Sequence, residues 1–137
     1  MKNIKLIFAL VVLSMTVALS GCTKETTTPD SGTRSAFLGK WSVSETYTKL
    51  SYEVTISADP NSTNGVFISN FAMTGSSSVP ASAEINGSSI VLDANQVIGT
   101  GLTVNGNGNL SGTKINWNYT ILDGATLFNA IAIYTKQ

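Results

Sequence analysis

The chain has 137 residues, 8 basic and 8 acidic side chains, no histidine and one cysteine. The lack of histidine excludes Ser-His-Asp triads and Cys-His dyads, and with one thiol it also excludes zinc sites of the usual His and Cys type. No cluster of lysine and arginine points to a nucleic-acid partner.

The first 21 residues have the three regions of a secretory signal peptide. Lys2 and Lys5 supply positive charge. Residues 7–18 are almost wholly apolar, and small residues then precede Cys22. The apolar run is shorter than the roughly 20 residues that a membrane-spanning helix needs. The sequence therefore predicts that residues 1–21 are removed as a signal peptide.

Leu19-Ser20-Gly21-Cys22 resembles the lipobox of bacterial lipoproteins. In that family the cysteine sulfur receives a diacylglycerol, the signal is cut before the cysteine, and the new amino group is acylated with a fatty acid such as palmitate. Two or three acyl chains hold a protein on a bilayer in an effectively permanent way. The resemblance implies a membrane anchor through lipid on Cys22. The alternative is an ordinary signal peptide with an incidental cysteine.

Residues 22–36 are predicted to form a flexible tether, because the segment lacks large apolar side chains and is rich in Thr, Ser, Pro and Gly. Its first residues, Cys22-Thr23-Lys24-Glu25, are similar to the lysine-plus-acid signal that sends many Bacteroidota-type lipoproteins to the outer face of the outer membrane. This resemblance implies display on the cell surface. An anchor that faces the periplasm is the alternative.

Residues 37–137 are long enough for one compact domain, and their pattern is that of strands throughout. Apolar residues alternate in short runs, and the breaks between runs are Gly, Asn, Asp and Ser. Consecutive strands with tight turns predict an all-β, antiparallel up-and-down meander of about eight strands that closes into a barrel. A β-sandwich is the alternative. The predicted strands are Lys40–Tyr47, Leu50–Ala58, Gly65–Phe71, Ala81–Ile85, Ser88–Asp93, Ile98–Leu110, Thr113–Leu122 and Ala125–Lys136.

Short turn signals set the register between several of these strands. The two turns nearest the C-terminus, Ser111-Gly112 and Asp123-Gly124, place Trp117 between Gly106 and Ala130, whose small size leaves room for the large ring. They also set Phe128 opposite Tyr119. One face of the sheet is then apolar and the other is rich in asparagine, which suits water. The predicted two-residue loops are Asn86-Gly87, Ser111-Gly112 and Asp123-Gly124.

The stretch "FLGKWSVSETY" (Phe37 to Tyr47) is similar to the Gly-x-Trp opening of lipocalin-like domains, with Gly39 and Trp41 in the matching places. In that family the tryptophan lies at the closed end of the barrel, and the open end takes a small apolar ligand. The resemblance therefore implies a lipocalin-like β-barrel over residues 37–137 with a ligand site at one end.

An eight-stranded barrel is either filled by its own side chains or holds one small ligand. Gly106 and Gly108 either make room for Trp117 in a solid core or leave a pocket edged by tyrosine hydroxyls. Glu45 is the one carboxylate expected to point inward, and one acid is not a catalytic constellation. We predict no enzymatic activity, no cofactor and no metal site. The candidate pocket residues are Trp41, Glu45, Tyr52, Trp117, Tyr119, Phe128 and Tyr134.

Two functions remain open at this point. The first is a binding module for a small apolar molecule or a glycan. The second is a structural or adhesive lipoprotein that acts through protein–protein contacts. Alternation along the final strand sends Leu127, Ile131 and Ile133 outward. We expect Phe37 and Leu38 or another protein chain to cover this row, unless a bulge turns some of these residues inward.

Overall fold

The computed structural model of the chain describes residues 33–137. Within this range no helix is long and apolar enough to cross a membrane. The elements are α1 (Arg34–Phe37), β1 (Gly39–Glu45), β2 (Ser51–Ala58), β3 (Gly65–Ser69), β4 (Ala81–Asn86), β5 (Ser89–Leu92), β6 (Gln96–Ile98), β7 (Leu102–Ser111), β8 (Lys114–Asp123) and β9 (Thr126–Lys136). The loop of residues 70–80, called the β3–β4 loop below, contains a one-turn 3-10 helix, Phe71–Met73.

The strands form one closed antiparallel barrel. From β1 to β5 and from β7 to β9, each strand pairs with the next along the chain. The β9–β1 and β5–β7 pairings close the circle of eight strands, and β6 is an additional strand on β7. Closure leaves the barrel without a free edge. The predicted all-β up-and-down barrel is confirmed, and the fold is not a sandwich.

The core lies inside the barrel because side chains alternate strictly between its two faces. In β8 every second side chain is buried, and asparagines stand between them on the outside. β-Branched and aromatic residues on the inner face suit a pleated, half-buried surface. The buried residues of this strand are Ile115, Trp117, Tyr119 and Ile121.

The predicted strand Ile98–Leu110 is wrong as one element, because the chain breaks between β6 and β7. Gly99 and Gly101 adopt φ values of +54° and +122°, which end the extended conformation. β6 lies beside β4 without a backbone ladder. Instead the Gln96 side chain accepts from the Ser82 amide at 2.6 Å and donates to the Ser82 carbonyl at 2.7 Å.

The three predicted hairpins exist, but each turns one residue later than predicted. In each loop the glycine comes first and has a φ of about +60°, and the residue after it does not have a positive φ. This is the pattern of a type II′ turn, in which glycine takes the first central position. The observed loops are Gly87-Ser88, Gly112-Thr113 and Gly124-Ala125.

Each turn shift moves the strand pairing by two residues, so the inward face is as predicted while the partners differ. Trp117 lies between Gly108 and Ala132 rather than between Gly106 and Ala130. Phe128 lies opposite Ile121 rather than opposite Tyr119. Trp117 still has two small neighbours across the strands.

One end of the barrel is closed by α1, which lies over Trp41. Trp41 Nε1 donates to the Phe37 carbonyl at 2.8 Å, and both side chains are fully buried. Lys136 Nζ lies 4.6 Å from the centre of the Trp41 ring and donates to the Ala36 carbonyl at 3.1 Å. Arg34 Nη1 fixes the start of α1 by donating to a carbonyl of the β2–β3 loop at 2.7 Å.

This arrangement corrects one expectation about the N-terminal residues. Phe37 is part of the core and Leu38 packs against the core. Neither therefore covers Leu127, Ile131 and Ile133 on the outside of β9. The predicted signal peptide and Cys22 lie outside the described residues, as does most of the predicted tether.

Candidate functional site

The candidate site lies inside the barrel at the end opposite α1. β1 ends there with Glu45, which is only 6% exposed. Alternation along β1 with Trp41 and Val43 points its carboxylate into the barrel, as the sequence predicts. A buried carboxylate is unusual unless it is paired or hydrogen-bonded.

Two hydroxyl groups donate hydrogen bonds to the Glu45 carboxylate. Tyr119 Oη donates to Oε2, and Thr48 Oγ1 donates to Oε1 at 3.1 Å. Burial raises the pKa of the Glu45 carboxyl, and the hydroxyls of Tyr52 and Thr48 act in the opposite direction. Because burial is the largest cause, the pKa of Glu45 lies above the ordinary value of 4.5.

Three buried polar atoms in the described part of the chain have no hydrogen-bond partner: Tyr52 Oη, Trp117 Nε1 and Tyr134 Oη. Such atoms are rare in native structures, since each costs about 1–3 kcal/mol when left unpaired. Burial, then Tyr52, then Glu45 raise the pKa of Tyr134 well above its usual range. Tyr52 and Tyr134 both lie opposite Val43, on the two strands that flank β1, and Glu45 follows Val43 by two residues. The three side chains therefore share one region of the barrel interior.

Tyr52 contributes to this polar group from β2. Its hydroxyl lies near Glu45 and near the backbone of Ala72 and Met73, but meets none of them with hydrogen-bond geometry. Burial raises the pKa of the Tyr52 hydroxyl first, and the charge of Glu45 adds to the effect. The hydroxyls of Tyr52 and Tyr134 therefore have unused hydrogen-bonding capacity beside a carboxylate.

Four aromatic rings, Phe71, Trp117, Tyr119 and Tyr134, form the wall of the site and are called the aromatic cluster below. The centre of the Phe71 ring lies 4.8 Å from that of Tyr119 and 5.6 Å from that of Trp117. The Trp117 and Tyr134 ring centres are 5.6 Å apart. These tilted and edge-on contacts are the arrangements that aromatic pairs prefer.

Phe71 is a site residue that the sequence analysis missed, because it placed Phe71 at the end of the third strand. The strand ends at Ser69, and Asn70 then takes a φ of +60°, which turns Phe71 into the barrel. Asparagine tolerates this left-handed conformation better than most residues. An asparagine directly after a strand was the available sequence signal.

The β3–β4 loop, which carries Phe71, has a strained backbone. Ala72 and Met73 have φ values of 51° and 59°, which cost roughly 1–2 kcal/mol for each residue with a side chain. The Asn70 side chain holds the loop, since Nδ2 donates to the Glu53 carbonyl at 2.8 Å and Oδ1 accepts from the Gly75 amide at 2.7 Å. Strain of this kind is concentrated at sites that clamp or admit ligands.

Gly108 makes room for the Trp117 ring, and Gly106 permits β7 to approach the backbone of β8 closely. A Cβ atom at Gly108 would lie 2.8 Å from Trp117 Cδ2, and one at Gly106 would lie 2.4 Å from Tyr119 Cβ. The space beside both glycines is therefore filled. The alternative prediction, that Gly106 and Gly108 leave a pocket beside them, is therefore wrong.

The structure brings five of the seven candidate pocket residues together and separates two. Trp41 lies at the closed end beneath α1. Phe128 has the inward orientation but lies at the rim, where it is 37% exposed and packs on Tyr47 with ring centres 5.1 Å apart. Its predicted interior position is wrong because the β8–β9 hairpin extends past the core. Those brought together are Glu45, Tyr52, Trp117, Tyr119 and Tyr134.

The outer surface of β9 carries the apolar row predicted from alternation. Leu127, Ile131 and Ile133 are 61%, 58% and 43% exposed, and Leu122 of β8 lies beside Leu127. These side chains are called the outer row below. An open depression of about 460 Å³ adjoins Ile131. Its polar lining consists of Asn105, Asn118, Thr120 and Asn129.

In residues 33–137 no group of three or more acidic, histidine or cysteine side chains is placed to hold a metal ion. Neither a protein-family model nor a curated protein sequence matches the chain. The chemistry of the site is therefore inferred from its geometry.

Proposed function

We propose that the protein is a lipid-anchored, non-catalytic binding module of the outer membrane that takes one small ligand with an apolar body. The ligand site is the barrel end marked by Glu45. The observation that carries this proposal is the unpartnered pair of buried hydroxyls, Tyr52 Oη and Tyr134 Oη, on the two strands that flank Glu45. A site lined by apolar rings with a few polar groups is the usual composition of small-molecule pockets.

The β3–β4 loop provides the entry route in this proposal. Phe71 fills the space above Trp117 and Tyr119, so a ligand enters when Phe71 moves out. Exposure of the phenylalanine ring costs about 1.5–3 kcal/mol. Relief of the positive φ values at Ala72 and Met73 offsets part of that cost.

The envelope location in this proposal rests on the sequence of the first 25 residues. The lipobox ending at Cys22 and the Lys24-Glu25 pair support an outer-membrane lipoprotein that faces the cell surface. The binding role, rather than catalysis, is supported by the single buried acid among residues 33–137, because a paired-carboxylate mechanism needs a second acid.

Tryptophan fluorescence tests the proposed site. Trp41→Phe leaves Trp117 as the single tryptophan of the chain, inside the aromatic cluster. Detergent-solubilised mature protein is titrated with ring-sized probes that do not emit as tryptophan does, namely benzyl alcohol, cyclohexanone and phenethylamine. We expect at least one probe to change the emission of Trp117 in a saturable, 1:1 manner. The matched variant Trp117→Phe retains Trp41 at the closed end and should show no such change.

A second candidate function is favoured by the outer row. Ile131 and Ile133 are neighbouring exposed aliphatic side chains on β9, and Leu127 lies beside Leu122 beyond Asn129. Exposed apolar surfaces often mark protein–protein contacts. The protein would then act as a structural or adhesive lipoprotein through β9. A glycan, in contrast, would suit the adjoining depression, whose amide and hydroxyl groups match sugar hydroxyls. Failure of every probe in the fluorescence test contradicts the interior site and leaves these outer surfaces.

A further inference from the structure

Glu45 is a buried carboxylate without a cationic partner. On the surface, Lys40 Nζ forms an ion pair with Glu53 Oε1 at 3.0 Å. Within residues 33–137, no lysine or arginine forms an ion pair with Glu45. The groups that approach Glu45 are hydroxyls. Buried charges in proteins are normally paired with an opposite charge, because isolated ones are costly to desolvate. A positive charge beside Glu45 would favour the ionised form of its carboxyl group.

The walls beside Glu45 suit a cation as well. Tyr119 joins the two halves of the site, since its hydroxyl donates to Glu45 while its ring lies 4.8 Å from the Phe71 ring. Trp117 and Tyr134 complete the wall. The faces of such rings carry negative potential and attract ammonium groups, most strongly where water is excluded. A carboxylate beneath aromatic walls is the chemistry that recognises an organic cation.

The buried ring of Phe71 indicates the size of the apolar group that a ligand of this site could carry. The ring of Phe71 packs against those of Trp117 and Tyr119 and is fully buried there. Unlike its neighbours, it stands on a loop rather than on a barrel strand. A ligand that replaces it needs a flat or compact apolar group of about the same size, since protein interiors are close-packed.

We propose that the Glu45 site binds a small organic amine, with the ammonium group on the Glu45 carboxylate and a ring-sized apolar group in the position of Phe71. This inference rests on the proposed function and names the ligand class of the same site. An anionic ligand is repelled by Glu45. A neutral ligand leaves the carboxylate without a positive partner.

The experiment uses Phe71→Ala in the mature lipidated chain to open the ring-sized space, as dry cavities of this kind bind benzene-sized ligands. Three isosteric probes are compared by calorimetry in detergent: phenethylamine as the cation, 2-phenylethanol as the neutral probe and phenylacetate as the anion. We expect the amine to bind at least about tenfold more tightly than the alcohol. Phenylacetate should bind more weakly than the alcohol.

Glu45→Gln in the Phe71→Ala background should remove the preference for the amine, because the amide keeps the size of the side chain but not its charge. The amide has one acceptor oxygen, so one of the two hydroxyls that donate to Glu45 must turn and accept from the NH2 group instead. Glu84→Gln is the matched control, since Glu84 is an exposed acid on the outside of β4. It should leave the preference unchanged. Phe71→Leu replaces Phe71→Ala throughout if circular dichroism shows that the alanine variant is unfolded.

The outcomes separate this inference from the proposed function. Equal affinities for the amine and the alcohol overturn the organic-amine assignment, while the binding of either probe still supports an interior site. An amine preference that survives Glu45→Gln also overturns the assignment, because the cation is then recognised elsewhere. If no probe binds to either Phe71 variant, the proposed interior site itself is wrong.

Discussion

The hydroxyl of Tyr119 on β8 donates a hydrogen bond to the carboxylate of Glu45 on β1 across the inside of the barrel. Gly106 lies opposite Tyr119, and the two strands approach so closely there that a Cβ atom would lie 2.4 Å from both the Asn118 carbonyl oxygen and Tyr119 Cβ. Glycine at this position therefore permits the strand pairing that holds Tyr119 in place. The pair of Tyr119 and Glu45 links the aromatic cluster to the polar part of the site.

Glu45→Gln is expected to flatten the pH dependence of stability. Burial raises the pKa of Glu45 in the folded chain above its ordinary value of 4.5. The folded state therefore holds this proton more tightly than the unfolded state, so stability falls as the pH rises from about 4.5 through the folded pKa. Urea unfolding at intervals from pH 4 to pH 8 measures this loss. Glu45→Gln should remove this loss of stability with rising pH, and Glu84→Gln should leave it in place. Parallel pH profiles for wild type and Glu45→Gln would contradict the raised pKa.

Trp117→Ala is expected to destabilise the protein by about 3–5 kcal/mol, because it leaves a large cavity in the core. Trp117 is fully buried and contacts the rings of Phe71 and Tyr134. The free energy of unfolding from denaturant titration is the measurement. Val97→Ala, at a position 58% exposed, is the control and should change it by less than about 0.5 kcal/mol. A loss below about 1 kcal/mol for Trp117→Ala would show that the ring does not fill the core.

Gly108→Ala tests whether the space beside Trp117 is full. The added methyl group would lie 2.8 Å from the Trp117 ring, and overpacking of this kind costs about 1–3 kcal/mol. Trp117→Phe removes part of the ring, so the double variant should lose less than the sum of the two single losses. Strict additivity in the unfolding free energies would mean that the alanine does not press on Trp117.

The sequence predicts the barrel well because its signals are local and repeated. Alternation along β8 and β9 specifies the inner face, and that result survives an error of two residues in the register. The error arises because Gly112 and Gly124, rather than the residues before them, take the first loop position. The choice of the first loop residue depends on the backbone twist of the flanking strands, and the residue types in the loop do not specify it.

The site is less accessible to sequence analysis because its key contacts are not local. Alternation points Glu45 inward, and the apolar pattern places Tyr119 on the inner face. The closeness of Tyr134 to Glu45 depends on how the barrel closes between β1 and β9. Phe71 enters the barrel through an irregular loop, for which neither strand nor helix periodicity gives a signal.

Cys22→Ser is expected to abolish attachment of lipid, because the serine oxygen does not replace the thiolate as the acceptor. Cells that express the wild-type chain should incorporate labelled palmitate into it, and cells that express the variant should not. The variant should also accumulate as an unprocessed or soluble protein. Absence of label in the wild type would remove the basis for the lipoprotein assignment.

The final prediction concerns the outer row. Ile131 and Ile133 are 58% and 43% exposed, although neighbouring outward positions of β8 are asparagine. Phe37 cannot cover them, because it is fully buried at the closed end of the barrel. We therefore expect another protein chain to cover the row. Ile131→Thr with Ile133→Thr keeps the β-branched shape while removing much of the apolar character.

If the outer row joins two chains, this double variant should stay folded and elute later than the wild type on a sizing column with light scattering. Val91→Thr with Val97→Thr is the matched control, because both valines are exposed on β5 and β6, away from β9. The control should elute with the wild type. If the Ile131 and Ile133 variant also elutes with the wild type and has the same melting midpoint, the row is simply exposed to solvent. The interaction function would then lose its support, because single exposed aliphatic side chains are common on protein surfaces.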